Sequence, residues 1–259
     1  MSSLLTRIGL PWLWGADVES AWVVMRFNVV PVTTRVCAPG SCCYGLERLP
    51  ARGGGVVAIN HLSAIDAPLV GSFSNRAIWY MVKSELMEIP VVGEAFGWAG
   101  GFSIRRGESD RDGLRQAREL VRAGHLIGVF VEGTRQRFGY PGEVHAGALS
   151  VALKESVPII PCAVESFGWG WRNRRACCVV WGNPIDLTGF SSNGTGCRAA
   201  AEVTRVEILR LWRQAAEAVS AGYPPVLPDG TARQTWPRAH EFRRAQTRRR
   251  SSGRVSSPG

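Results

Sequence analysis

A histidine and an aspartate lie five positions apart in the segment NHLSAID, which runs from Asn60 to Asp66. Imidazole has a reference pKa of about 6.5, so it can take a proton from a hydroxyl group near neutral pH. It acts from a fixed direction when its second nitrogen is held by a carboxylate. His61 and Asp66 could therefore be a general base and its orienting residue. The alternative is a surface histidine and a first-turn aspartate that stabilises a helix dipole.

Three cations, Lys83, Arg106 and Arg135, each follow an apolar run, although the body of the chain is otherwise close to neutral. Such a group suits an anionic substrate, most simply a phosphate, because arginine offers two parallel N–H donors. Thr134 and the amide of Gly133 could add neutral donors. Glu132 has two open interpretations, since its carboxylate could be structural or could contact the substrate.

These residues need a frame that brings strand ends together. Apolar runs predict strands at residues 56–59, 77–82, 102–104, 126–131, 157–164 and 176–182, and helical patterns predict helices at 65–73, 109–123, 147–155 and 198–221. This alternation predicts an α/β fold, with a mixed, largely parallel sheet flanked by helices. Parallel sheets bind ligands beyond the carboxyl ends of their strands, so we expect the candidate residues to share one edge.

Length and charge predict one domain with appendages. The chain has 259 residues, of which 45% are hydrophobic, enough for one sizeable core. Eight arginines and one glutamate lie in the last 29 residues, so seven of the ten net positive charges are there. Proline, serine and arginine dominate that end, which cannot form a core. We therefore expect an α/β domain over residues 37–222 and a disordered Arg-rich tail over 223–259.

The segment of residues 1–36 is rich in tryptophan and aliphatic side chains, and it predicts a helix that is apolar on both faces at 17–30. Such a helix is either buried or in contact with lipid. No apolar run reaches the roughly 18 residues needed to span a bilayer, and no clear signal peptide is present. The sequence indicates a soluble or surface-bound protein.

Seven cysteines are scattered without a CxxC pair. Their odd number and spacing support neither a disulfide framework nor a zinc site, and reduced thiols are expected.

With these residues placed, the chain resembles the glycerolipid acyltransferase family through four motifs in order. The NHxxxxD motif corresponds to Asn60 through Asp66, and GGFSIRR, ending at Arg106, corresponds to an apolar strand that closes on arginine. The third motif is EGTR, at residues 132–135, and the fourth is VPIIP, at residues 157–161.

The resemblance implies that His61 deprotonates an acceptor hydroxyl while Asp66 orients it. It implies that the glycerol-phosphate part is bound by Arg106, Glu132, Gly133, and also Lys83, Thr134 and Arg135. The acceptor would be a lysophospholipid, with lysophosphatidic acid the leading candidate, and the co-substrate would be acyl-CoA or acyl carrier protein, without a further cofactor.

Because lysophospholipids reside in bilayers, the resemblance implies a peripheral or monotopic protein at the cytoplasmic face of the cell membrane. Residues 1–36 would lie at the membrane interface and the tail would meet anionic headgroups, rather than nucleic acid. Val131 and Gln136 depart from the family's frequent Pro and Ser, which loosens the assignment of the acceptor. The alternatives are another lysolipid or glycolipid acceptor, or a lipid-binding protein without turnover; a hydrolase would need a protein nucleophile or a metal, and no GxSxG motif is present.

Overall fold

An eight-stranded mixed sheet forms the centre of the computed structural model, which describes residues 34, 36–90, 93, 100–104 and 110–234. The strands are β1 (Cys42–Tyr44), β2 (Gly55–Ile59), β3 (Ile78–Lys83), β4 (Gly101–Ile104), β5 (Leu126–Phe130), β6 (Ile159–Glu165), β7 (Cys178–Trp181) and β8 (Arg233–Gln234). Their order across the sheet is β4-β3-β5-β2-β6-β7-β1-β8.

Five neighbouring strands, from β4 to β6 in that order, run parallel to one another. Strand β7 is antiparallel to β6, β1 is parallel to β7, and β8 is antiparallel to β1. The predicted mixed, largely parallel sheet is therefore confirmed. Parallel neighbours need long crossovers, which explains why β2 pairs with strands that come much later in the chain.

Helices cover both faces of the sheet. They are α1 (Asp66–Ser72), α2 (Ser84–Met87), α3 (Arg111–Arg122), α4 (Ser150–Glu155) and α5 (Gly194–Ser220), with short 3-10 helices at Leu46–Arg48 and Ala146–Leu149. The side chain of Asp110 caps α3, and that of Asn193 caps α5. Helix α5 thus begins four residues before the predicted Arg198, because Asn193 is a good cap for its exposed N–H groups.

Strand β2 is buried on both sides, as expected for the centre of a parallel sheet. Val57 and Ile59 join one core with α1, whereas Val56 and Ala58 join a second core with α3 and α5. All seven cysteines are buried and free.

The predicted start of the tail at residue 223 is wrong for residues 223–234. The hydroxyl group of Tyr44 donates to the carbonyl oxygen of Pro224 at 2.7 Å, Leu227 is buried, and β8 pairs with β1. Strand β8 is held by backbone pairing with β1, and Leu227 by burial of its side chain. The amino-acid composition of the segment does not reveal either contact.

At the other end, the hydroxyl groups of Thr34 and Ser72 lie 2.9 Å apart, so the domain includes Thr34. The predictions for residues 1–33 and 235–259 lie outside the described residues. Within the described ranges, none of the helices combines the length and apolar character required to cross a bilayer.

Candidate active site

The candidate residues lie at one edge of the sheet, where five parallel strands end. Ile59, the last residue of β2, pairs with Phe130, the last residue of β5. Lys83, the last residue of β3, pairs with Ile104, the last residue of β4. His61 follows β2 by two residues, Glu132 follows β5 by two, and Lys83 ends β3. The expected convergence is confirmed for these three positions. Arg106 lies outside the described residues, two positions after the end of β4.

His61 and Asp66 form a hydrogen-bonded pair. The Nδ1 atom of His61 lies 2.8 Å from Oδ2 of Asp66, whose side chain is fully buried, while the imidazole is 21% exposed. A carboxylate only accepts, so Nδ1 is the nitrogen that carries the proton. In the neutral ring the other nitrogen, Nε2, is then the one that can accept a proton, as a general base requires.

Asp66 is held by a ring of donors. Its Oδ2 atom also accepts from the backbone amides of Leu62 and Ser63, at 2.7 and 2.9 Å. Its Oδ1 atom accepts from the hydroxyl groups of Ser63, at 3.0 Å, and Ser166. The orientation of the carboxylate is therefore fixed by four donors in addition to His61.

Ser63 is not the N-cap of α1. Helix α1 begins at Asp66 itself, with Ile65 in the cap position and no side-chain cap. Because Asp66 lies in the first turn, its carboxylate reaches back to the amides of the preceding loop. The contact of Ser166, which follows β6, with Asp66 could not be predicted from the sequence, because a hundred residues separate the two.

Aromatic rings support the imidazole from one side. The ring of His61 stacks on Phe130 with centroids 4.1 Å apart, and Phe130 in turn stacks on Tyr80 at 6.3 Å. Gly128 allows this arrangement, since a Cβ atom there would lie 2.9 Å from the ring of Tyr80. The stack fixes the plane of the imidazole, and it could not be predicted from the sequence because Phe130 lies about 70 residues after His61.

Glu132 holds the backbone of the catalytic loop. Its Oε2 atom accepts from the amide of His61 at 2.6 Å, and its Oε1 atom accepts from the amide of Gly142 at 2.8 Å. Burial raises the pKa of Glu132 to about 7, against the lowering effect of these two amides. Both oxygens are engaged by the protein's own backbone, which favours the structural interpretation of Glu132. Its contact with the glycerol phosphate stays a prediction.

The rest of the EGTR turn places its side chains outward. Gly133 adopts a φ of 69°, and its amide donates to the carbonyl oxygen of Phe130 at 3.0 Å, so this amide closes the turn. Thr134 and Arg135 are exposed. The amide of Gln136 donates to the carbonyl oxygen of His61 at 2.8 Å, which ties this turn to the catalytic loop a second time.

Lys83 lies at the same edge but already has a partner. Its ammonium group is 2.8 Å from Oε1 of Glu85, and both side chains are about half exposed. Such a pair is weak in water and can be replaced by a phosphate. Of the three predicted cations, Lys83 and Arg135 therefore lie at this edge within the described residues.

The side chain of Asn60, the first residue of NHLSAID, links the end of β2 to β6. Its side-chain amide donates to the carbonyl oxygen of Val164 at 3.0 Å and its side-chain oxygen accepts from the amide of Val164 at 2.7 Å. This pair of bonds continues the pairing of β2 with β6 and sets the start of the catalytic loop. The arrangement can accept a proton at Nε2 of His61 and hold the resulting imidazolium beside a buried carboxylate.

Comparisons with known proteins agree with this geometry. Residues 40–165 match the sequence model of the Acyltransferase family. The chain is 28% identical over 161 residues to the 1-acyl-sn-glycerol-3-phosphate acyltransferase of Bacillus subtilis, covering 61% of this chain and 80% of that protein. It is 32% identical over 127 residues to a chloroplastic enzyme of the same name from Brassica napus, covering 48% of this chain but only 37% of that protein.

The fold also has a solved counterpart. The crystal structure of the 1-acyl-sn-glycerophosphate acyltransferase from Thermotoga maritima superposes with a TM-score of 0.60 at 24% identity, covering 83% of this chain and 87% of that one. At this identity the likeness shows the shared fold. Together with the four ordered motifs, these matches confirm the family that the sequence indicated: residues 40–165 form an Acyltransferase-family domain.

Proposed function

We propose that this protein is an O-acyltransferase that moves a fatty acyl group from a thioester, acyl-CoA or acyl carrier protein, to the free hydroxyl group of a lysophospholipid. The leading acceptor is 1-acyl-glycerol-3-phosphate, and the product is then phosphatidic acid. The observation that carries the proposal is the bond from Nδ1 of His61 to buried Asp66, 2.8 Å long, at the edge where Lys83 and Arg135 lie.

The chemistry follows from this pair. The acceptor hydroxyl group gives its proton to Nε2 of His61 as its oxygen attacks the thioester carbonyl carbon. Asp66 stabilises the imidazolium that forms. The carbon–sulfur bond then breaks, and the leaving thiolate takes the proton back from His61. The reaction balances with these groups and the two substrates, so we propose that it uses no further cofactor.

The choice of acceptor rests on charge. Lys83 and Arg135 are exposed at the catalytic edge, and Arg106 follows the neighbouring strand in the sequence. A phosphate monoester carries up to two negative charges and suits such a group better than a zwitterionic headgroup. The names of the Bacillus and Brassica relatives support the same acceptor.

A peripheral location at the cytoplasmic face of the cell membrane is part of the proposal. The acceptor resides in a bilayer, and the acyl donors are water-soluble thioesters. Residues 1–36 and the Arg-rich end of the chain are the segments that the sequence offers for this attachment.

The test is a transfer assay with the purified full chain. Two donors that carry a radiolabelled acyl group, acyl-CoA and acylated acyl carrier protein, are each offered with lysophosphatidic acid, lysophosphatidylglycerol and lysophosphatidylcholine. We expect phosphatidic acid as the main product, and we expect His61→Ala to lower kcat by about a thousandfold, since general base catalysis supplies rate factors of this size. His125→Ala, which lies directly before β5 at the opposite edge of the sheet, is the matched control.

Three outcomes would contradict the proposal. Full transfer by the His61→Ala variant would rule out His61 as the general base. Binding of lysolipid without product from either donor would favour a lipid-binding protein, and release of fatty acid to water without an acceptor would favour a hydrolase.

A further inference from the structure

We propose that residues 135–140 and 167–175, together called the aromatic–arginine rim, form a surface that docks on an anionic lipid bilayer. The two segments follow β5 and β6, so both lie at the catalytic edge of the sheet. The inference rests on the proposed function, in which the acceptor is a membrane lipid. It assigns membrane contact to the folded domain itself, in addition to the two ends of the chain.

Exposed aromatic side chains set the rim apart. Phe138 is 77% exposed, Trp171 is 68% exposed, and Tyr140 and Phe167 are 51% and 41% exposed. Single exposed apolar residues are normal on a soluble protein, but a contiguous apolar patch marks a binding surface. Four large aromatic rings on two neighbouring loops therefore need an explanation.

The two loops form one surface. The rings of Phe138 and Tyr140 stack with centroids 6.2 Å apart. Gly139, between them, lies so close to Phe167 that a Cβ atom there would be 2.8 Å from the phenyl ring. In the second loop, the rings of Trp169 and Trp171 lie 5.6 Å apart. The aromatic residues are thus continuous from one loop to the next.

The charge of the rim has one sign. Its two segments contain five arginines and no acidic residue; these are Arg135, Arg137, Arg172, Arg174 and Arg175. Tryptophan and tyrosine settle at the headgroup level of a bilayer, where the ring meets acyl chains and its polar atom meets water. Arginines at the same level attract anionic headgroups. Aromatic rings among arginines fit a bilayer surface.

The outermost part of the rim is preformed. The amide of Gly170 donates to the carbonyl oxygen of Asn173 at 3.1 Å, and the amide of Asn173 donates back to Gly170 at 3.0 Å. These bonds close a two-residue turn with Trp171 and Arg172 at its tip. The indole of Trp169 donates to the carbonyl oxygen of Cys37 at 2.6 Å and anchors the loop to the core. Little conformational entropy is then lost when the tip inserts.

Each loop is bonded to one catalytic residue. The amide of Gln136, in the first loop, donates to the carbonyl oxygen of His61, and Ser166, directly before the second loop, donates to Asp66. Docking of the rim would therefore bring His61 to the level of the headgroups. The free hydroxyl group of a lysophospholipid lies at that level, so the acceptor need not leave the bilayer.

A spin label at the tip tests the docking directly. The full chain is labelled at Arg172→Cys, and at Arg213→Cys on α5 as the matched control. The buried native thiols are checked by labelling the unmutated chain. With vesicles of equal parts phosphatidylglycerol and phosphatidylcholine, we expect label 172 to lose accessibility to a water-soluble nickel chelate and to gain accessibility to oxygen. We expect label 213 to stay unchanged.

Three results would overturn the proposal. The first is a label at position 172 that stays in water while the chain is bound to these vesicles, and the second is a chain that does not bind them at all. The third is a label that is shielded by acyl carrier protein but not by vesicles, which would make the rim a protein-binding surface.

A pair of double variants connects docking with turnover. Phe138→Ser with Trp171→Ser removes two rim aromatics, and Val203→Ser with Val206→Ser removes two exposed apolar residues from α5 as a control. For long-chain lysophosphatidic acid in the same vesicles, we expect the rim variant to raise the apparent KM about tenfold. A short-chain monomeric acceptor should be used equally by both variants, and equal Tm values would show that both fold.

An unchanged vesicle KM in the rim variant would contradict the docking role. If the unmutated chain transfers no acyl group to any acceptor, the proposed function fails, and the spin-label result still decides the role of the rim.

Discussion

At the scale of single residues, Asp66 is the best-supported side chain of the site. Its two oxygens accept from His61, from two backbone amides and from two serine hydroxyl groups. A buried carboxylate needs such donors to keep its charge, and each donor also narrows the range of positions open to the imidazole. Ser166 is the donor that comes from a distant part of the chain.

Ser166→Ala tests this positioning role. The variant removes one donor to Oδ1 of Asp66 and leaves the backbone in place. We expect kcat to fall about tenfold with little change in the KM of the acceptor, because the bond holds the base rather than the lipid. Ser166→Thr, which keeps the hydroxyl group, should restore most of the rate, and Ser191→Ala on an exposed loop is the control. A rise in KM alone would contradict this role.

Glu132 predicts a pH dependence of stability. Burial raises its pKa from 4.5 to about 7, so between these values the folded state binds more protons than the unfolded state. Stability contributed by this group is complete below pH 4.5 and is lost as pH rises through 7. We expect the free energy of unfolding to fall by about 3 kcal/mol over this range.

The measurement is urea unfolding at pH 5, 6, 7 and 8, with Glu132→Gln as the comparison. The variant loses a good acceptor for one of the two amides and is less stable overall, but it lacks the titration. The difference between the two curves should therefore shrink as pH rises. A constant difference would show that Glu132 does not titrate in this range.

At the scale of elements, the end of the domain is a measurable boundary. A chain that ends at residue 222 loses β8, the buried Leu227 and the acceptor of the Tyr44 hydroxyl group. It also exposes β1 as an unpaired edge. We expect it to lose about 3 kcal/mol of stability relative to a chain that ends at Gln234, and to aggregate. Equal Tm values for the two chains would place the end of the folded domain at residue 222.

Much of the frame could be predicted because the local signals were strong. The run GVVAI before Asn60 is apolar at every position, which a strand buried on both faces requires, and β2 was found there. The parallel direction then followed from the alternation with helices. By contrast, β1 and β8 are two or three residues long and are defined by pairing across the chain, so no local pattern marks them.

Some contacts of the site could likewise be predicted from the sequence, and others could not. His61 and Asp66 are five residues apart, and their contact could be predicted from the sequence alone. The stack of His61 on Phe130 and the bond from Ser166 join strands that are distant in sequence, so they needed the fold. Glu132 was ambiguous because its type suits both a ligand and a backbone acceptor, and its two amide partners in the fold favour the second role.

At the scale of the whole molecule, charge is concentrated at one end of the chain. Seven of the ten net positive charges lie in the last 29 residues, and only Arg233 among those arginines belongs to the described domain. Each cation near an anionic membrane contributes about 1 kcal/mol to attraction at low salt. This segment should therefore act over a longer range than the rim, which acts on contact.

A chain that ends at Gln234 tests that division. We expect it to bind vesicles of equal parts phosphatidylglycerol and phosphatidylcholine more weakly than the full chain at 50 mM salt, and about equally at 500 mM, where charges are screened. Vesicle co-sedimentation at the two salt concentrations measures the difference. Equal binding at low salt would mean that the Arg-rich end does not contact the membrane.

The position of β2 in the sheet has a consequence for how the protein is made. Its two neighbours, β5 and β6, are synthesised about 70 and 100 residues after it, and Ser166 comes at the end of the second. A nascent chain that has emerged only to Phe130 carries β2, which is buried at every position in the fold, with one side unpaired, a state prone to aggregation. The base and its carboxylate therefore become fully supported only after β6 has docked, so partly synthesised chains are targets for chaperones before they can catalyse anything.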